Sequence, residues 1–140
     1  MSRPLDDARL ALESQPFSRL VKAEVVEYSS DAVELRLPIQ EDVKQQHGFV
    51  HGGVVSYLAD NALTFAGGAA LGPNVVTSEY KINYVRPATG DYLIARASVI
   101  YKGRTQAVCR CDLYTLSEAG EKLCAVAQGT ISLMGAPAPR

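Results

Sequence analysis

Residues 53–70 carry the one long helical pattern of this chain, and that pattern is apolar in nearly every direction. Val54, Val55, Leu58, Ala59, Ala62, Leu63, Phe65, Ala66, Ala69 and Ala70 leave no broad polar face, and a helix apolar almost all round is a buried one. Such a helix needs something that encloses it, and the rest of the chain supplies strands. Two runs, 21–28 and 32–37, precede the helix, and four longer ones, 75–84, 91–101, 105–116 and 121–133, follow it. One helix cannot cover both faces of so large a sheet. The economical solution is an α+β fold, a curved antiparallel sheet of five to six strands wrapped around one long central helix.

The punctuation agrees with this reading. Ser29-Ser30-Asp31 separates the first two strands, and in the second Val33, Leu35 and Leu37 alternate with Glu34 and Arg36 before Pro38 ends it. Gly72-Pro73-Asn74 breaks the chain after the helix. The later breaks, Pro87 to Gly90, Lys102-Gly103-Arg104 and Ser117 to Gly120, are short enough to imply hairpins and a four-strand antiparallel meander. Residues 39–52 form a mostly polar loop. Leu5, Ala8, Ala11 and Leu12 predict an amphipathic helix over 4–14, part of an N-terminal lead-in of residues 1–20. The Pro/Ala-rich tail, 135–140, is expected to fray. No repeat and no second domain is visible, so 1–140 reads as a single domain. The outer sheet face must be covered or polar, which points to self-association.

Composition narrows the function classes. Hydrophobic residues make up 47% and charged residues 21% of the 140, which sets disorder aside. A net charge of -1 gives no electrostatic case for nucleic acid or an anionic membrane as partner. No run is apolar for long enough to span a bilayer, and residues 1–7 lack the apolar stretch of a secretory signal. Cys109, Cys111 and Cys124 show neither metal-ligand spacing nor a disulfide framework, and read as reduced, buried thiols of a cytoplasmic protein. Neither a metal nor a redox cofactor is expected.

The polar exceptions on the central helix are therefore its informative part. At about 100° per residue, Gly53, Ser56, Asp60 and Thr64 fall in one stripe with Asn61 beside it. Asp60 is the only carboxylate on this helix. An unpaired buried carboxylate costs several kcal/mol or shifts its pKa, a cost tolerated at functional sites and in structural ion-pair networks alike. The pattern alone leaves those two readings balanced. Ahead of it, Gly52 and Gly53 sit at the helix start, where backbone N–H groups lack intrahelical acceptors and the dipole favours negative charge. An N–H aimed at a developing oxyanion is what acyl transfer requires. Tight packing of the turn would equally call for glycine.

His51-Gly52-Gly53, then Asp60 nine residues after the histidine, resembles the hotdog-fold acyl-CoA thioesterases, and most closely their PaaI-like branch. The resemblance covers roughly 20–135. Downstream, Tyr80-Lys81-Ile82-Asn83-Tyr84-Val85-Arg86-Pro87 is similar to the family's strand ending in proline, and Gly103-Arg104-Thr105 resembles its basic hairpin. It implies a thioester hydrolase working as a homodimer or a dimer-of-dimers tetramer, with coenzyme A entering only as part of the substrate. Asp60 would act as general base or nucleophile, and the Gly52 amide of the other copy would form the oxyanion hole. His51 would support the turn, and Thr77 would hold the position of a water-orienting hydroxyl. Relatives often carry an Asn six residues before the histidine. Here Gln45 offers the same amide donor one methylene further out, and Gln46 or His47 are alternatives for that role. Gly53, His47, Asn61, Arg86, Lys102, Arg104 and Thr105 are the candidates for substrate and coenzyme contacts, with Lys81 a further member of the basic set and Arg104 favoured for a phosphate.

Two other readings compete. A hydratase or dehydratase of enoyl or hydroxyacyl thioesters would pair His51 with Asp60 to move a proton beside the carbonyl. A non-catalytic acyl-CoA-binding module would hold ligand without turnover.

Overall fold

The computed structural model describes residues 3–135. Apart from Gly135, the tail expected to fray lies outside the described residues. The elements are α1 (Arg3–Glu13), α2 (Pro16–Val21), β1 (Glu24–Tyr28), β2 (Val33–Pro38), a 3-10 turn at Glu41–Val43, α3 (Gly52–Leu71), β3 (Val75–Tyr84), β4 (Tyr92–Lys102), β5 (Gln106–Ser117) and β6 (Gly120–Leu133). The strands form one six-stranded antiparallel sheet in the order β1-β2-β4-β5-β6-β3. It curves around α3, as the helix pattern demanded.

Three expectations change, two in the elements and one in the burial of α3. The run read as a strand from residue 21 begins instead as a helix. Pro16 occupies the first helical turn, where its fixed φ and missing N–H suit it, and Lys22 caps the end in the left-handed region at φ 62. The four later strands are not a meander throughout. β4, β5 and β6 are joined by hairpins, but β3 pairs with β6 at the sheet edge while β4 pairs with β2. The segment after Tyr84 crosses the end of the sheet, held where the Val50 amide donates to the Ala88 carbonyl at 2.9 Å. A connection short enough for a hairpin thus serves as a crossover beneath the N-terminus of α3.

The core lies between α3 and the concave face. Leu35, Leu37, Leu58, Leu63, Leu93, Leu113 and Ile131 are fully buried there, each gaining about 1.5–3 kcal/mol from burial. Gly67 sets the closest approach, since a Cβ at that position would lie 2.5 Å from Ile131. α3 is not buried all round, however. Val55, Leu58, Ala59, Ala62, Leu63, Ala66 and Gly67 face the sheet, while Ser56, Asp60, Asn61, Thr64 and Phe65 are only half-covered. A sheet wraps one side of a helix. On the other side the N-terminal helices cover part, with Phe17 edge-on to Tyr57 at 4.9 Å and Ser18 Oγ 2.5 Å from the Tyr57 hydroxyl. Tyr57 is pushed to a raised pKa mainly by that burial.

Of the two possibilities for the outer sheet face, the structure takes the polar one. Arg96 bridges Glu34 at 2.9 Å and Glu121 at 2.7 Å and lies over the Tyr114 ring, while Arg36 pairs with Glu24 and lies over Tyr92. The sheet edges differ from each other. Short β1 is bordered by α1, whose Arg9 Nε donates to the Val25 carbonyl at 3.2 Å. The ten-residue β3 pairs on one side only among the described residues, which leaves a row of backbone donors and acceptors open to another strand.

Candidate active site

The polar stripe of α3 faces β3, and a β-bulge decides what it meets there. The register between β3 and β6 slips between Thr77 and Glu79. Ser78 is the extra residue, so side-chain parity changes across it. Thr77 and Tyr80, three positions apart, consequently both point at the helix. Tyr80 packs so closely at the bulge that a Cβ on its partner Gly129 would come within 2.6 Å of it. Along α3 the contacts run in step. Thr77 meets Asp60, the Tyr80 hydroxyl bonds Ser56 Oγ, and the Tyr84 hydroxyl donates to the Gly52 carbonyl at 3.1 Å.

Asp60 is half-buried and has no cationic partner among the described ion pairs, so the structural ion-pair reading does not apply to it. Thr77 Oγ1 donates to Asp60 Oδ1 at 2.6 Å. Thr64, one turn further along, donates from Oγ1 to the Asp60 carbonyl at 2.8 Å and stands 2.8 Å from Thr77 Oγ1. A hydroxyl has one proton. With Thr77's proton committed to the carboxylate, Thr64's serves both remaining contacts. One oxygen of Asp60 is thereby fixed by a hydroxyl pair, which orients the other.

At the start of the helix, His51 is the cap, and its Nδ1 accepts the Gly53 amide at 2.8 Å. That accounts for the Gly53 N–H and leaves Gly52, at the first helical position, as the amide with no intrahelical acceptor. A cavity of about 530 Å³ opens beside it, walled by Phe49, Gly52, Tyr84, Arg86 and Cys124 among others. Asp60 does not line this cavity. Eight residues of helix separate it from Gly52, about 12 Å along the axis. Within one chain the two cannot act on the same carbonyl, and His51 and Asp60 form no proton-transfer pair.

The remaining candidates divide. Gln45 folds back on its own loop, its Oε1 accepting the His47 amide. His47 is exposed and stacks on Phe49 with ring centroids 6.3 Å apart. Asn61 is engaged by the N-terminal segment, donating to Gln15 Oε1 at 3.0 Å. Arg86 lines the Gly52 cavity. Lys102, Arg104 and Thr105 are exposed on the β4–β5 hairpin at the opposite end of the molecule, where the Leu133 amide reaches the Thr105 carbonyl. Lys81, the other basic candidate, is exposed on β3. A single chain does not bring the basic set together. The three cysteines are free and buried, and burial pushes the Cys109 and Cys124 thiols up to about 11 and raises Cys111 further. Among the described residues, no helix is long and apolar enough to cross a membrane.

Tyr80 and Tyr84 entered the sequence reading only as part of the strand that resembles the family's, with no site role given to either. Their helix-facing positions depend on the bulge, which alternation alone does not reveal.

Residues 47–122, more than half of the chain, match the thioesterase superfamily. A Haemophilus influenzae protein named as a candidate esterase is 32% identical over 113 residues, spanning 79% of this chain and 80% of that protein. A thioesterase family protein from Silicibacter pomeroyi superimposes with a TM-score of 0.87 at 30% identity, covering 94% of this chain and 98% of its own. The PaaI protein of the E. coli phenylacetic acid degradation operon superimposes with a TM-score of 0.80 over 94% of both chains, a likeness of fold at 21% identity. A sheet closed around one helix, a carboxylate held by hydroxyls at its middle and a match over most of the length thus converge: the chain belongs to the thioesterase superfamily and is a hotdog-fold thioester hydrolase.

Proposed function

We infer that the protein hydrolyses acyl-CoA thioesters to coenzyme A and the free acid, at sites shared between two copies of the chain. The observation that carries this is the separation of the two chemical groups. An oxyanion donor and a base must both lie about 3 Å from the reacting carbonyl group, whereas Gly52 and Asp60 of one chain are about 12 Å apart along the helix axis. The open edge of β3 supports the pairing. Two β3 strands joined antiparallel by a two-fold axis run the two α3 helices in opposite directions and bring Gly52 of one toward Asp60 of the other. The same operation carries the Lys102–Thr105 hairpin of one copy toward the Arg86 cavity of its neighbour, where cations suit the phosphates of coenzyme A. A dimer is the minimal unit, and a tetramer would pair two such dimers.

In the reaction, Asp60 Oδ1 is held by Thr77 and Oδ2 faces the thioester. As general base, Asp60 takes a proton from water, and the oxygen attacks the carbonyl carbon. The Gly52 amide of the partner copy donates to the oxyanion. Collapse breaks the C–S bond, and the departing thiolate recovers the proton from Asp60. As nucleophile, Asp60 would instead attack the carbonyl carbon and expel the coenzyme A thiolate, forming a mixed anhydride that water then opens at the Asp60 carboxyl carbon. Single turnover in oxygen-18 water separates the two, since only the second route leaves the label in the Asp60 side chain. No metal or redox cofactor enters either route, and a cytoplasmic location belongs to the same reading, supported by the free thiols.

Asp60→Asn tests it. Hydrolysis of a good acyl-CoA substrate is expected to fall about 10²–10⁴-fold, as for other catalytic bases. Undiminished hydrolysis would sink the assignment.

A further inference from the structure

A second cavity, of about 610 Å³, lies on the side of α3 away from Gly52. Its inner wall is Thr64, Phe65 and Gly68 of α3, and its outer wall includes Ala8 and Ala11 of α1 together with Tyr28 of β1. Thr64 is the link to the chemistry, since its hydroxyl stands 2.8 Å from the Thr77 hydroxyl that holds Asp60. The cavity therefore begins one helical turn from the carboxylate. Its walls are chiefly hydrocarbon and aromatic, with Phe65 edge-on to Tyr28 at 6.2 Å, and Asp7 of α1 is the one charged side chain among them. The polar Asn61 at its side is already bonded to Gln15.

We propose that this cavity receives the acyl group of the substrate and that α1 is its specificity wall, so that the enzyme favours uncharged, apolar acyl groups longer than four carbons. This deepens the thioesterase reading and rests on it. α1 lies outside the segment that matches the superfamily, residues 47–122, so the matched segment alone does not form this wall. A short acyl group leaves most of the apolar wall in water. Each methylene added to the acyl chain gains about fourfold from burial, so octanoyl-CoA is expected to exceed butanoyl-CoA in kcat/KM by up to about two orders of magnitude. A terminal carboxylate would be stripped of water against these walls with no cation in them, so the eight-carbon ester ending in a carboxylate is expected to be the poorest of the three.

The test is the octanoyl-to-butanoyl ratio of kcat/KM in variants that fill the cavity. A Cβ at Gly68 would meet only Val75, at an ordinary 3.6 Å, so Gly68→Ala and Gly68→Leu extend into open space, and Ala11→Phe does so from the opposite wall. Ala11→Phe and Gly68→Leu are each expected to lower the ratio at least tenfold, and Gly68→Ala less. An unchanged ratio, or a wild-type ratio at or below one, would overturn the cavity assignment. Asp60→Asn is assayed in parallel on both esters. Loss of both with an unchanged ratio overturns the cavity alone, whereas survival of both overturns the thioesterase mechanism beneath it.

Discussion

Asp60 stands where the helix pattern calls for a hydrocarbon, and the structure answers with hydroxyls rather than with a cation. Thr77 holds one carboxylate oxygen at 2.6 Å and Thr64 supports Thr77. If that bond orients the reacting oxygen, Thr77→Val is expected to lower kcat roughly tenfold with little change in KM, a loss typical of one misdirected catalytic contact. Thr77→Ser should keep most of the rate because it keeps the donor. Steady-state kinetics on one acyl-CoA ester reads both. Equal damage from serine and valine would mean that packing, not the hydrogen bond, matters there. The buried thiols make a separate prediction. With pKa values raised by burial, the native protein should leave all three cysteines unmodified by a disulfide reagent at pH 8 and release three thiols only on unfolding. Asp60 and Gly52 were legible in the sequence because each breaks a strong pattern. The turn made by Gln45, whose Oε1 accepts the His47 amide, was not, because residue type does not foretell a local bond.

At the scale of elements, α3 and its length were plain from periodicity, and so was each of the long strands. What periodicity could not supply was strand order. A strand carries its alternation with it wherever it pairs, so β3 reads the same beside β4 or beside β6. The bulge at Ser78 was hidden for the same reason. The glycine pair of α3 separates packing from propensity. Gly67→Ala drives a Cβ to 2.5 Å from Ile131 and is expected to cost about 1–3 kcal/mol by overpacking. Gly68→Ala meets nothing closer than 3.6 Å and should instead gain about 0.5–1 kcal/mol of helix stability. Urea denaturation of the two variants checks this, and a matching loss in both would contradict the packing described. On the outer face, Arg96 holds the Glu121 carboxyl below its ordinary range. That contribution is present at neutral pH and is lost as the pH falls through the carboxylate range. The groups are exposed, so it amounts to about 1 kcal/mol at most. Arg96→Met should flatten the acid side of the stability profile correspondingly.

At the scale of the whole molecule, one long sheet edge is unpaired among the described residues. The outer face is polar and self-satisfied, β1 is covered, and the long edge of β3 is open with Val76 and Tyr84 exposed along it. In solution the chain is expected at about twice its 15.0 kDa mass or a multiple of that. In the proposed dimer, Asp60 of one copy works with Gly52 of the other. Gly52→Pro deletes the amide at the first helical position, where proline is tolerated, while Asp60→Asn deletes the carboxylate. Each variant alone should be nearly inactive. Co-expressed in equal amounts, they form mixed dimers in which one of the two sites keeps both groups, so about a quarter of wild-type activity should return on statistical pairing. A co-expressed sample no more active than either variant alone would contradict a site shared between copies.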